Sequence, residues 1–274
     1  MCELFAMSSH GPSAVTYSLN EFAEFGSAVR HNRSGWGIAF MRDRDAFLVK
    51  EAEPAADSPW VRFISHQALE SECVIAHVRL ATLGANALRN THPFRRALGR
   101  RTHVFAHNGT LRGLTDAHDV SAMGIQPVGE TDSELAFCLL LERMRAVWRN
   151  ANGLPSVEAR MDVFAEFAAD MAEFGPLNAL YADTDVLFAH GHKRIWEEEG
   201  LDSPPRPPGL HTMCCTARLG PAHMSFTGLD IDLADRQTTL LASVPLDDEG
   251  WEPLPEGTAL ALKAGQEVLR VQTV

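Results

Sequence analysis

The chain has 274 residues, of which 45% are hydrophobic, so it is long and apolar enough to bury a sizeable core in one or two domains. Its 24 Lys and Arg residues stand against 36 Asp and Glu residues, and the formal net charge of -12 has the wrong sign for nucleic acid or an anionic membrane surface. The apolar runs are far shorter than the roughly 20 residues of a membrane span, so we expect a soluble globular protein.

The N-terminus and the cysteines indicate the cellular compartment. No basic segment followed by an apolar segment opens the chain, so we predict no secretory signal. An odd number of cysteines does not suggest a disulfide framework, and we expect the reducing cytoplasm. The cysteines are Cys2, Cys73, Cys138, Cys214 and Cys215.

Short apolar runs in the first third of the chain predict β-strands, and their mixed apolar composition indicates burial on both faces. They are CELFAM from Cys2, WGIAFM from Trp36, AFLVK from Ala46, CVIAHVRL from Cys73 and HVFAHN from His103.

Two helices are predicted next, over residues 131–148 and 156–174. Apolar residues recur there at three- and four-residue spacing, behind a residue able to cap the helix. The SPPRPPG segment from Ser203 predicts a rigid surface loop.

Strands resume after the helices, and Asp183-Thr184-Asp185 can form a tight hairpin turn within the first of them. These strands are predicted within residues 178–190, 238–246 and 258–265. Strands, paired helices and further strands indicate a layered α+β fold, and the sequence has no glycine-rich phosphate loop.

Cys2 would combine two reactive groups after removal of Met1, which the small cysteine side chain should permit. The thiol is a strong nucleophile, and the freed α-amine, with a pKa of about 7.7 to 8.0, is a base near working pH. The alternative is that Cys2 is only a small apolar residue at the start of a strand.

Two strand ends carry groups able to bind a polar substrate. HVRLAT from His77 contains Arg79 and Thr82, whose guanidinium fork and hydroxyl can converge on a carboxylate. Asn108-Gly109 ends the HVFAHN strand with an amide donor and a glycine whose N–H a ligand can approach closely. An Asn-Gly hairpin turn is the alternative for the second pair.

Two more motifs have ordinary structural explanations. GETDSE from Gly129 can cap the helix that follows it. SGWG from Ser34 precedes a predicted strand, where a simple turn would suffice.

Taken in this order, MCELFAM, SGWGIAF, AHVRLAT, NTHPF, AHNGTL and VGETDSE resemble the glutaminase domain of the class II glutamine amidotransferases, which are N-terminal nucleophile hydrolases. The resemblance covers nearly the whole chain and is closest to the stand-alone group typified by YafJ. It implies a four-layer αββα sandwich and a single glutaminase-like domain over residues 1–274, without a synthase domain.

The resemblance implies the catalytic residues. Cys2 is the expected nucleophile, and its own α-amine is the expected general acid and base. The side chain of Asn108 and the backbone N–H of Gly109 are expected to form the oxyanion hole.

The resemblance also implies the residues that bind the substrate. Arg79 and Thr82 are expected to hold the α-carboxylate of glutamine, and Asp132 its α-ammonium group. Trp36 and Gly37 match a loop beside the nucleophile, to which we assign a supporting role.

The implied reaction is hydrolysis of the glutamine side-chain amide to glutamate and ammonia, through a γ-glutamyl thioester on Cys2. The ammonia is either released or passed to a partner protein. One alternative is a hydrolase of another γ-glutamyl amide in thiol metabolism, and another is a catalytically silent amino-acid-binding regulatory module.

We expect no cofactor and no metal. Histidines and Cys73 in the first half of the chain could suggest a metal site, but neither CxxC nor HExxH spacing is present. The histidines in question are His77, His92, His103 and His107.

Cys214 and Cys215 are adjacent in the sequence, and we expect two buried thiols rather than a redox pair. The stand-alone relatives implied by the resemblance suggest a homodimer.

Overall fold

Two large antiparallel β-sheets, a two-stranded hairpin and three α-helices are the main elements of the part of the chain that the computed structural model describes. The described residues are 2–17, 34–55, 58–67, 69–80, 84–151, 153–198, 201–215, 223–226, 229–232, 237–248 and 250–273.

Most of the secondary-structure elements in the described part of the chain are strands. In chain order they are β1 (Glu3–Tyr17), β2 (Trp36–Arg42), β3 (Asp45–Glu51), β4 (Glu70–Val78), β5 (Phe94–Leu98), β6 (Arg101–Asn108), β7 (Asn178–Ala182), β8 (Leu187–Gly191), β9 (Glu197–Glu198), β10 (Leu201–Asp202), β11 (His211–Cys215), β12 (His223–Phe226), β13 (Leu229–Asp232), β14 (Thr238–Ala242), β15 (Glu252–Pro253), β16 (Thr258–Lys263) and β17 (Gln266–Gln272).

The first sheet has the strand order β15-β11-β14-β1-β4-β2-β3, and β13 pairs with the later part of β1 and with β12. The second sheet has the order β17-β16-β8-β7-β6-β5, and β9 and β10 form a separate hairpin. In the first sheet Glu3 lies opposite Val78 in the antiparallel pair of β1 and β4. The beginning of β1 and the end of β4 therefore meet at one end of the sandwich.

Each helix begins at a serine or threonine cap. Helix α1 (Pro59–Gln67) starts behind Ser58, whose hydroxyl accepts from the backbone N–H of Trp60 at 3.1 Å. Thr131 caps α2 (Asp132–Asn150) and Ser156 caps α3 (Val157–Ala172), each hydroxyl accepting a backbone N–H at 3.2 Å. Within the described residues, no helix combines the length and apolar character that crossing a membrane would require.

The apolar side chains form three layers of core. One core lies between the two sheets and includes Leu4, Ile75 and Leu180. A second packs Val61 and Ile64 of α1 against the outer face of the first sheet, and a third packs α2 and α3 against the outer face of the second sheet. The order helix, sheet, sheet, helix confirms the predicted α+β four-layer sandwich.

The structure confirms strands at the predicted apolar runs and both long helices, together with the hairpin turn, where Thr184 has a φ of 66°. It adds elements that the sequence patterns did not predict. Among these, β17 is a largely exposed edge strand, and β5 is an edge strand with two arginines, so neither has an apolar run. Helix α1 is short, and its Ser-Pro start was its only clear signal.

The prediction that Cys214 and Cys215 are both buried is wrong for Cys214, which is exposed, whereas Cys215 is buried. Both thiols are free. The two residues are neighbours in strand β11, and successive side chains of a strand point to opposite faces.

Candidate active site

Cys2 lies where the start of β1 meets the end of β4. Its thiol donates to the carbonyl oxygen of Leu80 at 3.2 Å and accepts from the Leu80 backbone N–H at 3.1 Å. The sulfur is thereby oriented by the chain segment that follows Arg79. Burial raises the pKa of the Cys2 thiol above its ordinary value, and the Leu80 hydrogen bond and the Arg79 charge oppose this only in part.

Asn108 connects the two sheets at this point. Its side-chain amide donates to the carbonyl oxygen of Cys2 at 2.6 Å, and its own carbonyl oxygen accepts from the side chain of Asn178 at 3.0 Å. A side-chain amide carries two N–H donors, so one remains for another acceptor beside Cys2.

Gly109 has a backbone that a side chain would disrupt. Its φ is 158°, and a Cβ atom there would overlap the carbonyl oxygen of Pro176 and lie 2.6 Å from Nε2 of His107. The position therefore requires glycine, which also leaves its N–H open to close approach.

Arg79 is almost fully buried, and its guanidinium faces a loop around residue 85. The guanidinium donates to Ser34 O at 3.3 Å, Asn86 Oδ1 at 3.4 Å, Gly84 O at 3.5 Å and Ala85 O at 3.5 Å. These distances are at the long end for N–H···O hydrogen bonds, so the contacts are weak. Thr82, the predicted partner of Arg79, lies outside the described residues.

Asp132 is the first residue of α2 and is buried. Its carboxylate accepts the backbone N–H of Leu111 at 2.6 Å and the backbone N–H of Ser133 at 2.8 Å. It therefore ties the helix to the segment that follows Gly109. A carboxylate in the first turn also interacts favourably with the helix dipole.

Comparison with known protein families identifies the family of this chain. The model for "Glutamine amidotransferases class-II" matches residues 1–274. The chain belongs to this family. Membership makes it an enzyme of glutamine amide hydrolysis or transfer.

Two relatives of this amidotransferase match it over almost its whole length. YafJ of Escherichia coli (strain K12), whose name describes it as a glutamine amidotransferase, is 29% identical to this chain over 275 residues. The match covers 98% of this chain and 100% of YafJ. The 2.0 Å crystal structure of a predicted glutamine amidotransferase from Pseudomonas aeruginosa PA01 is 31% identical with a TM-score of 0.71, and the match covers 97% of this chain and 99% of that one. The protein is thus similar to the stand-alone, YafJ-like group.

A more distant structure shares the fold alone. Glutamine phosphoribosylpyrophosphate amidotransferase from B. subtilis is 14% identical with a TM-score of 0.58, and the match covers 99% of this amidotransferase but 49% of that chain. With the family membership and the 31% identical crystal structure, the sandwich described above is the N-terminal nucleophile hydrolase type of fold.

The structure corrects the expectation of a loop at Trp36 and Gly37, because these residues begin strand β2. Trp36 is fully buried, and its indole N–H donates to the Glu51 carboxylate at 3.1 Å. A Cβ on Gly37 would overlap the carbonyl oxygen of His92 and lie 2.7 Å from Cβ of Lys50. Because Gly37 has no side chain, His92 and Lys50 can pack closely against strand β2 at this position.

Three buried histidines lie near this end of the amidotransferase. His107 contacts the Ser133 hydroxyl at 2.9 Å and the Pro176 carbonyl oxygen at 3.1 Å. The rings of His77 and His92 are 4.2 Å apart, and neither has a hydrogen-bond partner among the described residues. Burial, assisted by the neighbouring His107 and Arg79, lowers the pKa of His77 to about 3, so it is neutral at physiological pH. No cluster of three or more potential metal ligands occurs among the residues that the structure describes.

Sequence reasoning missed Leu80 and Asn178, which hold Cys2 and Asn108 in place. Leu80 acts through its backbone N–H and carbonyl groups, so its side chain gives no signal in the sequence. Asn178 becomes a neighbour of Asn108 only because β6 and β7 pair in that register.

Proposed function

We propose that the protein hydrolyses the side-chain amide of glutamine to glutamate and ammonia, with Cys2 as an N-terminal nucleophile. The observation that carries the proposal is the direct contact of Cys2 with Asn108 at the end of the sandwich where Arg79 also lies. A nucleophile, an amide donor and a cation then lie at the same end of the sandwich.

The thiol needs a base because burial raises its pKa. Removal of Met1 frees the α-amine of Cys2, whose ordinary pKa of about 7.7 to 8.0 allows it to accept the thiol proton at working pH. Nucleophile and base are then parts of one residue, so no separate histidine is required.

The thiolate attacks the side-chain amide carbon of glutamine and forms a tetrahedral oxyanion. The second N–H of the Asn108 amide and the backbone N–H of Gly109 stabilise this oxyanion. A donor of this kind typically lowers the barrier by about 3 to 4 kcal/mol.

The other end of glutamine is a zwitterion. Its α-carboxylate is a stronger acceptor than the loop carbonyls that Arg79 now contacts at 3.3 to 3.5 Å, and it takes their place. Thr82 matches the family motif and is assigned to the same carboxylate, which its hydroxyl would bind. Asp132 binds the α-ammonium group. These groups bind only the glutamyl part of the substrate.

Protonation by the α-amine lets ammonia leave, and the γ-glutamyl thioester remains on Cys2. Water, deprotonated by the same amine, hydrolyses the thioester and releases glutamate. About half of the B. subtilis structure has no counterpart in this chain. We propose that residues 1–274 act as one glutaminase domain in the cytoplasm, as a homodimer, and that the ammonia is either released or passed to a partner protein.

Replacing the nucleophile tests this proposal. Cys2→Ala is expected to abolish ammonia release from glutamine while glutamine binding, measured by calorimetry, persists. Cys214→Ala removes an exposed free thiol and is the matched control, with turnover expected to be unchanged. Ammonia release by Cys2→Ala at the wild-type rate would remove Cys2 from the mechanism, and turnover of other γ-glutamyl amides but not glutamine would reassign the substrate.

A further inference from the structure

Glu3 is a fully buried acidic residue directly after the nucleophile. Its side chain points to the same face of the first sheet as that of Phe5, because side chains alternate along a strand. Burying a carboxylate is costly unless it is paired and hydrogen-bonded, so its partners determine whether the start of β1 can lie here.

Arg194 binds the Glu3 carboxylate with both arms of its guanidinium. Nη1 lies 3.2 Å from Oε2, and Nη2 lies 3.0 Å from Oε1. Nη1 also donates to the carbonyl oxygen of Ser243 at 2.7 Å, and the guanidinium lies 4.9 Å from the centroid of the Trp196 ring. Arg194 is itself 4% exposed, so this fork is desolvated as well as bidentate.

Ser243 completes the arrangement. Its hydroxyl donates to Oε2 of Glu3 and accepts the backbone N–H of Leu4 at 2.9 Å. Its backbone N–H donates to the carbonyl oxygen of Leu4 at 3.0 Å. Glu3, Arg194 and Ser243, which we call the Glu3 clamp, join three segments that are far apart in the sequence.

The Glu3 clamp lies where the strand pairing of β1 runs out. Pairing of β1 with β14 begins at Phe5, opposite Ala242, and pairing with β4 begins at Glu3. The first residues of the chain thus have β4 on one side, and the Glu3 clamp on the other side replaces β14. Without an attachment of this kind, chain ends tend to fray.

Stability alone does not explain the Glu3 clamp. A buried ion pair often adds nothing to stability compared with well-packed apolar residues of similar size, because both charges lose their hydration. What it does add is a defined geometry, since the fork accepts the carboxylate in one orientation.

We propose that the Glu3 clamp is a positioning device that holds the main chain of Cys2 in the geometry for attack. The inference rests on the proposed function. The thiol of Cys2 is oriented by Leu80 and its carbonyl group by Asn108, and the clamp fixes the next residue along the chain. The substrate-binding groups Arg79 and Asp132 belong to other elements, so the clamp acts on the chemical step rather than on binding.

The test uses the full chain with Glu3→Leu and Arg194→Met together, which removes both charges and keeps the volumes similar, so that folding is preserved. A misplacement of about 1 Å can slow an enzyme by roughly 100-fold, and we expect kcat to fall 10- to 100-fold while KM stays within twofold. Single variants add a matched comparison. Glu3→Gln replaces the carboxylate partner of Arg194 by an amide. Asp183→Asn makes the same replacement for Arg160 at the other end of the second sheet, where Arg160 keeps the carboxylate of Asp185 at 2.8 Å.

Both single variants are expected to lower the unfolding midpoint, and only Glu3→Gln is expected to lower kcat. An unchanged kcat in the double variant, with wild type active, overturns the inference. If wild type does not hydrolyse glutamine, the proposed function fails, and hydrogen exchange of the peptide holding residues 2–5 decides the clamp. Faster exchange confined to that peptide in the double variant supports the clamp, and wild-type exchange overturns it.

Discussion

Four hydrogen bonds that the Arg79 guanidinium donates are 3.3 to 3.5 Å long, and a carboxylate is a stronger acceptor than these neutral oxygens. A lysine at this position keeps the charge but loses the planar fork. Hydrogen bonds to charged groups contribute about 1.5 to 3 kcal/mol. We therefore expect Arg79→Lys to raise the KM for glutamine roughly 10- to 100-fold, with a smaller change in kcat.

Steady-state kinetics of ammonia release measure this effect. Arg95→Lys, which changes a half-exposed arginine on edge strand β5, is the control and should leave KM unchanged. A wild-type KM in Arg79→Lys would remove Arg79 from the substrate site.

Single residues of the site were partly predictable from the sequence. Cys2, Arg79 and Asn108 stand in motifs, and the structure places all of them at one end of the sandwich. The pairing of Glu3 with Arg194 was not predictable, because 191 positions separate them and only the fold brings them together.

Helices α2 and α3 offer two equivalent caps with different positions relative to the site. Thr131 and Ser156 each accept a backbone N–H at 3.2 Å, but only Thr131 precedes a residue that we propose to bind substrate, Asp132. Replacing a cap by alanine typically lowers stability by about 1 kcal/mol. We expect both Thr131→Ala and Ser156→Ala to show this loss in urea unfolding, and only Thr131→Ala to raise the KM for glutamine.

An equal KM in the two alanine variants would show that the start of α2 does not position Asp132 for binding. A KM increase in both would mean that helix packing as a whole, rather than the cap next to the site, controls the pocket.

Among the secondary-structure elements, those with a clear apolar periodicity and a helix cap were predictable from the sequence. The 3.6-residue pattern behind Thr131 and Ser156 predicted α2 and α3, which begin one residue later than predicted because Thr131 and Ser156 are their caps. Edge strands such as β17 bury too little surface to need an apolar run, so their sequences carry no comparable signal.

The whole molecule buries several neutral histidines, and this determines its response to acid. Burial lowers the pKa of His77 to about 3 and those of His103 and His190 to about 4, against about 6.5 in an unfolded chain. Between these values the unfolded state binds more protons than the folded state. The stability that these neutral histidines contribute is therefore fully present above about pH 6.5 and is lost as the pH drops toward 4, by a few kcal/mol in order of magnitude.

Neither ring nitrogen of His77 makes a hydrogen bond of standard geometry to a described residue, so its replacement breaks no strong hydrogen bond. We expect His77→Leu to keep the stability of wild type at pH 7 and to flatten the decline in unfolding midpoint from pH 7 to pH 4. His66→Gln, which removes an exposed histidine on α1, should leave the decline unchanged. An equally steep decline in His77→Leu would show that other groups govern the acid response.

For the whole molecule, the sequence predicted the layered fold through the order of strands, paired helices and further strands. The register did not, because apolar runs that are buried on both faces fit several pairings equally well. That register, with Glu3 opposite Val78, is what places Cys2 beside the end of β4.

The most direct test of the proposed mechanism is the mass of the N-terminal peptide after incubation with a glutamine-analogue diazoketone. The account predicts that Met1 is absent and that one adduct lies on Cys2, with activity lost in proportion to labelling. Inactivation with the label on another residue, or ammonia release by protein that retains Met1, would contradict an N-terminal cysteine nucleophile.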